Sequence, residues 1–353
     1  MHAKQGKHAF LCKEIMMERK KILIAPLDWG IGHATRCIPV IKKKLNEGHD
    51  IVLASNGRSK ALLQSHFPEL QFIDGIPDYA ITYSETRFFM GHLMKQIPHI
   101  LRAIKNENSW LKNAISKHRI DEVISDNRYG LYNTNIQTSI ITHQILPIGP
   151  ALLAPITHRI IKKYISHFDT CLIPDFEEES ISLSGKLSHG NIPGNSNYIG
   201  PLSRFQNMAS VENKSETIIF DYLIILSGPE PQRSKFEELM IRIFDGQNAN
   251  VCLIGGKPEQ NQSRQKNNIK IIPHLLDTWM KTTIDQSKNI ITRSGYSTLM
   301  DLHALGRIAL LIPTPGQTEQ AYLAERHSNK FGFTSMSQDE ISFSNIEHIF
   351  RTQ

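Results

Sequence analysis

The chain has 353 residues, of which 40% are hydrophobic and 21% charged, with a formal net charge of +6. That length gives a prior of two domains at about 150 residues each, and the balance of apolar and charged residues excludes wholesale disorder and fibrous architectures. No apolar stretch approaches the roughly 20 residues that span a bilayer, the four cysteines (Cys12, Cys37, Cys171, Cys252) lack the spacing of a zinc site or disulfide framework, and the positive charge suits phosphate-bearing partners of several kinds.

The leader MHAKQGKHAFLCKEIMMERKK is basic, and its apolar pieces are too short and broken for a secretory core. Residues 1–19 therefore read as a loose extension, and the cytoplasm as the compartment. An apolar run, KILIAP, follows, then the stretch DWGIGHATR, then Cys37–Glu47 with helical periodicity. Gly30 and Gly32 in that corner let the backbone approach a ligand closely. The free N–H groups opening the next helix favour an anion or an oxygen-rich group, with His33 at the helix start and Arg36 just beyond. A tight turn whose histidine caps the helix would produce the same pattern. A dinucleotide fingerprint would need a third glycine where Thr35 stands, which argues against NAD.

Further strands are expected at DIVLAS, LQFIDGI, DEVISD, SIITHQIL, TCLIPDF and YIGPL, with a long helix over Ile97–Lys117. Continuous apolar runs imply burial on both faces, and their alternation with helices implies a doubly wound α/β domain over residues 20–205. Residues 81–105 mix Phe88, Phe89, Leu93, Met94 and Ile97 with Arg87, Lys95, Arg102 and Lys105. That composition suits contact with an anionic membrane surface, or simply an amphipathic helix packed on its own domain. The run VISDNRYG ends a strand on the same rim as the first corner, so Asp126 is in reach of His33 and able to fix its tautomer. Capping its own loop or pairing with Arg128 are the structural alternatives.

Residues 206–217, QNMASVENKSET, form a polar linker, and a second α/β series then occupies 218–353 with strands at DYLIILSG, NVCLIGG, IKIIPHL, NIITRSG and IALLIPT. The stretch GGKPEQNQSRQKNNIK reads as a surface loop. In LSGPEPQRSKFEEL, Gly228 at a corner and Arg233 at a helix start suit a diphosphate, because a guanidinium binds phosphate oxygens in a fork; a proline turn with a solvated arginine is the alternative. The segment ITRSGYSTLMDLHALGRIALLIPTPGQTEQAYLA is richer. Ser294 and Gly295 open a helix, and Asp301 falls about two turns along it on a face able to reach a sugar diol. After the strand IALLIP, the loop carries Gln317, Glu319 and Gln320, which are acceptors for sugar hydroxyls.

RSGYSTLMD followed by LIPTPGQTEQAYLA resembles the donor-binding half of nucleotide-sugar glycosyltransferases of the GT-B fold, of the MurG-like, family 28 C-terminal-domain type. Those enzymes carry R-S-G-x-x-T-x-x-E, then a strand ending in proline and a Gln-rich loop. The resemblance implies two doubly wound Rossmann-like α/β domains facing across a cleft, with the acceptor side at 20–205 and the donor side at 218–353. It implies that Asp301, standing where the family usually has Glu, binds the ribose diol. It further implies that Ser294, Gly295 and Ser297 line the diphosphate, and that Glu319 and Gln320 read the hydroxyls of the transferred sugar. GIGH is similar to the family's glycine-rich loop ending in histidine, and related plant-type enzymes pair that histidine with an aspartate at the place Asp126 holds.

The implied reaction is inverting, metal-independent transfer of a hexose from a UDP-sugar to an acceptor hydroxyl. His33 takes the acceptor's proton or orients the acceptor, and helix N-termini with Arg233 stabilise the departing diphosphate. No D-x-D pattern is present, and no cofactor beyond the nucleotide-sugar co-substrate is implied. The acceptor stays open among a glycan, a lipid-linked molecule and a small molecule. A bacterial, cytoplasmic protein, peripheral at the inner membrane face if its acceptor is lipid-linked, fits this picture. A nucleotide-sugar 2-epimerase or hydrolase of the same architecture and a non-catalytic sugar-nucleotide-binding partner protein are the competing readings. Dispersed basic residues without interleaved aromatic motifs argue against nucleic acid.

Overall fold

Six residues of the first strand, KILIAP, set the pattern for the whole N-terminal half. Ile22, Leu23, Ile24 and Ala25 are all fully buried, which only a strand covered on both faces permits. In this computed structural model, residues 18–79, 89–149, 154–206, 208 and 217–352 are described. The first lobe runs β1 (Lys21–Pro26), α1 (Gly32–Asn46), β2 (Asp50–Leu53), α2 (Gly57–His66), β3 (Gln71–Phe72), α3 (Phe89–His118), β4 (Glu122–Asp126), β5 (Gln137–Ile141), α4 (Ala154–Ile165), β6 (Thr170–Ile173) and β7 (Ser196–Tyr198). Its seven strands form one sheet in the order β3-β2-β1-β4-β5-β6-β7, with every adjacent pair parallel. Because side chains alternate across a strand, Ile22 and Ile24 pack with α1 and α2 on one face. Leu23 and Ala25 pack with Leu111 and Ala114 of α3 on the other.

The second lobe repeats the plan with β8 (Phe220–Ile225), α5 (Gln232–Phe244), β9 (Val251–Ile254), β10 (Arg264–Lys266), β11 (Ile269–Ile272), α6 (Asp277–Asp285), β12 (Ser287–Thr292), α7 (Tyr296–Ala304), β13 (Leu310–Leu311), α8 (Thr318–Lys330), β14 (Thr334–Ser335) and α9 (Phe343–Thr352). Its sheet order is β10-β11-β9-β8-β12-β13-β14, parallel except for the β10–β11 hairpin. The doubly wound α/β architecture expected from the alternating strands and helices is present in both lobes. Leu183, Leu187 and Phe205, which lie on either side of β7, are buried in the second lobe's own core with Leu299, Leu311 and Leu323. The lobes therefore share apolar packing as well as polar contacts.

Several local expectations shift. The helix expected from Cys37 begins at Gly32 and ends at Asn46, and the one expected from Ile97 begins at Phe89 and ends at His118. The strand expected at YIGPL is Ser196–Tyr198, so it retains only the tyrosine. Residues 255–270 are not wholly a loop: Arg264–Lys266 pairs back onto β11. Asn267, at φ 49°, makes that turn tight, and Asn268 ties it down through bonds to the carbonyls of Phe244 and Ala249. Of the expected extension 1–19, residues 1–17 lie outside the described residues, while Arg19 donates to Asp50 at 2.9 Å. Among the described residues no helix is long and apolar enough to cross a membrane.

The loop after β4 illustrates how closely this lobe is packed. Buried Glu107 of α3 takes hydrogen bonds from Arg128 (2.6 Å), the Tyr79 hydroxyl (2.6 Å) and the Gly130 N–H (3.0 Å). A Cβ on Gly130 would stand 2.2 Å from the Ile104 carbonyl oxygen. Gly130→Ala should therefore destabilise the protein by about 1–3 kcal/mol, read as a lowered urea midpoint, while Gly194→Ala, with open space around its Cβ and no positive φ, should cost less.

Candidate functional site

In each sheet the strand order reverses at one place, between β1 and β4 and between β8 and β12. Open α/β sheets bind ligands outside the carboxyl ends of the strands at such a reversal. The corners DWGIGH and SDNR belong to the first reversal, and SGPE and RSGY to the second.

Pro26 and Asp126 are register partners at the ends of β1 and β4, which sets Asp126 beside the corner where α1 begins. His33 lies in the first turn of α1, and Arg36, three residues on, shares its face. The two meet on Asp126. His33 Nδ1 is 2.7 Å from Asp126 Oδ1, and the Arg36 guanidinium forks onto both carboxylate oxygens. His33 Nδ1 faces both the Asp126 carboxylate at 2.7 Å and Arg36 NH2 at 2.9 Å; the shorter contact, to an acceptor only, favours the tautomer in which Nδ1 carries the proton and donates it to Asp126. His33 Nε2 is then the basic nitrogen. Asp126 is fully buried. Burial alone would raise its pKa, but Arg36 and His33 outweigh that and hold the carboxyl below the usual range.

From Arg36 the network crosses the cleft. Its NH1 donates to His143 Nδ1 at 3.1 Å, and His143 Nε2 donates to Glu319 Oε1 of the second lobe at 2.8 Å. His143 also stacks on Tyr296, with ring centroids 4.1 Å apart. Burial and the neighbouring Arg36 and His33 charges lower the His143 pKa despite Glu319 beside it, so the imidazole is neutral. Glu319 resists the upward push of burial because His143 donates to it, and it stays ionised.

The glycine corners touch each other. Gly30, at φ 80°, faces Gly228 so closely that a Cβ on it would lie 3.4 Å from the Gly228 carbonyl carbon. Two residues on, Ser297 Oγ of α7 donates to the Gly32 carbonyl at 2.8 Å. The N-termini of α1 and α7 thus meet across the cleft. Each carries a partial positive charge of about half an electron, so their juxtaposition creates a place for an anion.

Other expected ligand groups are differently engaged. Arg233 does not present a free fork to the cleft: it is 2% exposed and bonds Glu230 (2.8 Å), Glu237 (2.7 Å) and the Gly255 carbonyl (3.0 Å). Arg36 is likewise consumed, by Asp126 and His143, and stands behind the glycine loop. Arg128, the alternative partner of Asp126, goes to Glu107. Ser294 Oγ is spent on the Gln320 carbonyl (2.7 Å), and Gln320 Oε1 accepts from the Thr314 N–H (2.9 Å). What the α7 corner offers is backbone N–H groups, since the Ser297 hydroxyl already donates to the Gly32 carbonyl. Gln317 Nε2 is buried without a hydrogen-bond partner among the described residues. Asp301 accepts from Ser203 Oγ (2.8 Å) and Arg204 Nε (3.1 Å). Burial raises its pKa, and Arg204 opposes that.

Residues the sequence reading missed are His143, Arg204 and a cluster about Asp277, which takes Lys42 (2.9 Å) and His66 (3.0 Å) from the first lobe. His143 carried a signal: like Asp126, it is a polar residue ending an apolar strand run. Arg204 and the Asp277 cluster carried none, since their partners are remote in sequence. Among the described residues no group of three or more His, Cys, Asp or Glu side chains is disposed to hold a metal ion.

Asp126→Ala would leave Arg36 buried without its counter-charge. It should cost about 3–5 kcal/mol, whereas exchanging both partners together for Met and Leu should cost far less. Urea unfolding of the two variants measures the difference, and equal losses would contradict a compensating pair.

Residues 231–351 match the glycosyltransferase family 28 C-terminal domain. An uncharacterized glycosyltransferase of Methanosarcina acetivorans is 21% identical over 332 residues, 85% of this chain and 81% of its own length. Among solved structures, a glycotransferase of kitacinnamycin superposes with a TM-score of 0.64 at 11% identity, covering 95% of this chain and 91% of its own. MurG of Acinetobacter baumannii does so with a TM-score of 0.52 at 11% identity, covering 94% and 90%. The shared architecture is the GT-B fold.

Proposed function

Starting from a GT-B chain whose second lobe is a glycosyltransferase family 28 C-terminal domain, we propose that the protein moves a sugar from a nucleoside diphosphate to an acceptor hydroxyl, with inversion and without a metal. The motif resemblance favours UDP as the nucleotide. One observation carries the reading: the N-termini of α1 and α7 meet at Gly32 and Ser297, with His33 the next residue along.

In this reading the donor diphosphate lies between the two helix ends, where backbone N–H groups bind its oxygens and the Ser297 hydroxyl turns from the Gly32 carbonyl to a phosphate oxygen. The ribose diol replaces the Ser203 hydroxyl on Asp301, a neutral donor for a neutral donor, while Arg204 keeps its bond to that carboxylate and opposes the rise in pKa that burial causes. Glu319 and Gln320 meet the hydroxyls of the transferred sugar, with Glu319 oriented by His143. His33 Nε2 accepts the proton of the acceptor hydroxyl as that oxygen attacks the anomeric carbon from the face opposite the nucleotide. The bond to the departing diphosphate breaks, and its electron pair is stabilised by the helix ends. Asp126 holds His33 in the tautomer this requires and offsets the positive charge the imidazole gains.

A thermal-shift panel of nucleoside diphosphates and their sugars tests the donor class. A ligand at 100 times its dissociation constant adds about 2.7 kcal/mol of stability, and a response to one base is expected, whereas a flat panel would overturn the reading. Asp301→Ala should weaken nucleotide binding. His33→Ala should leave nucleotide binding nearly intact and slow transfer by about 10²–10⁴-fold, as followed by nucleotide release with and without acceptor. Equal loss of donor binding in both variants would contradict the division of roles between the lobes.

A further inference from the structure

Asn127, the residue after Asp126, combines two features that the site described so far leaves unused. Its φ of 55° lies in the left-handed region, which asparagine tolerates and most residues avoid. It is also only 8% exposed, and its side-chain oxygen Oδ1 is buried without a hydrogen-bond partner among the described residues. The backbone N–H is spent on the Ile141 carbonyl at 3.2 Å, so the peptide is anchored to β5 while the amide oxygen is left over. A buried acceptor with no donor is destabilising, and such groups persist where a ligand or a water completes them. Turn chemistry accounts for the φ but not for the unmet oxygen.

The surroundings are aromatic. Trp29 of the glycine corner, Tyr129 of the loop after β4 and Tyr164 of α4 are half-buried and pack against the buried cluster of Leu27, Tyr79, Ala103 and Ile104. Tyr129 and Tyr164 meet edge to face with ring centroids 6.3 Å apart, and the Tyr129 N–H donates to the Tyr79 hydroxyl at 3.1 Å. Trp29 and His33 belong to one corner. Burial pushes the Tyr129 hydroxyl up to about 12, and Arg36 and Asp126 are near enough to act on it as well. The ions bordering this wall are spent on one another, Arg36 on Asp126 and Arg128 on Glu107, while Asp28 accepts from the Ser59 N–H in the first turn of α2 (3.2 Å). The wall therefore offers flat apolar faces and one amide. Of residues 81–105, the segment with two readings in the sequence, 81–88 lie outside the described residues, and Ile100, Ala103 and Ile104 pack behind this wall.

We propose that Asn127 and the aromatic wall of Trp29, Tyr129 and Tyr164 bind a carbohydrate acceptor. The rings pack against the C–H faces of a sugar, one hydroxyl meets His33 Nε2, and a neighbouring hydroxyl donates to Asn127 Oδ1. The proposal rests on the glycosyl-transfer reading for the role of His33 and adds to it the class of acceptor. A sugar ring joins an apolar face to a rim of hydroxyls, which is the combination that aromatic rings beside a single amide select. A simple alcohol would bring carbon to the wall and one hydroxyl to His33, leaving Asn127 unmet. A phosphate or carboxylate would bring a charge that the paired ions do not answer.

The test is saturation-transfer NMR of the full chain, with and without UDP, using the methyl glycosides of glucose, galactose, mannose and N-acetylglucosamine as probes and cyclohexanol as the comparison. Transfer to the ring protons of at least one glycoside is expected, and none to cyclohexanol. Asn127→Gly keeps the left-handed backbone and deletes the amide. It should weaken glycoside binding by about tenfold yet unfold no earlier than the parent chain, because the unmet oxygen is gone. Trp29→Phe, which keeps a ring in the wall, should bind as the parent does, and Trp29→Leu should bind more weakly. Silence from all four glycosides, cyclohexanol binding as well as they do, or undiminished binding by Asn127→Gly would each overturn the proposal. The nucleotide panel reads the second lobe and the glycosides the first, so the two outcomes separate. A donor response without glycoside binding removes this proposal alone, and glycoside binding with a flat nucleotide panel removes the donor reading and leaves the sugar site standing.

Discussion

The buried ion pair between Asp126 and Arg36 is the contact on which the site depends. Neither charge tolerates burial alone, since desolvating an isolated ion costs several kcal/mol, and both are almost fully buried. Asp126 can accept a further bond, and His33 donates it. Arg36 has a further nitrogen, which reaches His143 and through it Glu319. One charge-compensation problem, solved inside the first lobe, thus sets a histidine tautomer on one side of the cleft and orients a carboxylate on the other.

The rest of the cleft follows from topology. Both sheets reverse their strand order beside their first strand, so each lobe brings two loop-to-helix corners to one point. When the lobes face each other, the corners meet, and Gly30 and Gly228 stand there at φ 80° and 100°, backbone conformations that favour glycine. Two positive helix ends so close together repel unless something negative lies between them. A diphosphate would answer that electrostatic demand, which is why the proposed donor site lies there and not at Arg233, whose charge Glu230 and Glu237 already neutralise.

What the sequence alone determined was periodic or local. Buried parallel strands announced themselves as unbroken Ile, Val and Leu runs, the glycine corners as helix starts after those strands, and the segment from Arg293 to Gln320 as part of a family 28 C-terminal domain through the order of its motif. The meeting of His33 and Asp126 was also legible, because both end or follow strands on one rim. Tertiary structure alone decided where each charge went. A guanidinium such as Arg233 or Arg36 reads identically in sequence whether it faces a ligand or a buried carboxylate, and the choice depends on acids that folding brings near. His143, Arg204 and Asp277 gained their roles in the same way, across a gap between lobes that has no trace in local periodicity. Burial, which makes an uncompensated charge expensive, is a property of the assembled molecule and cannot be read from any short stretch of its chain.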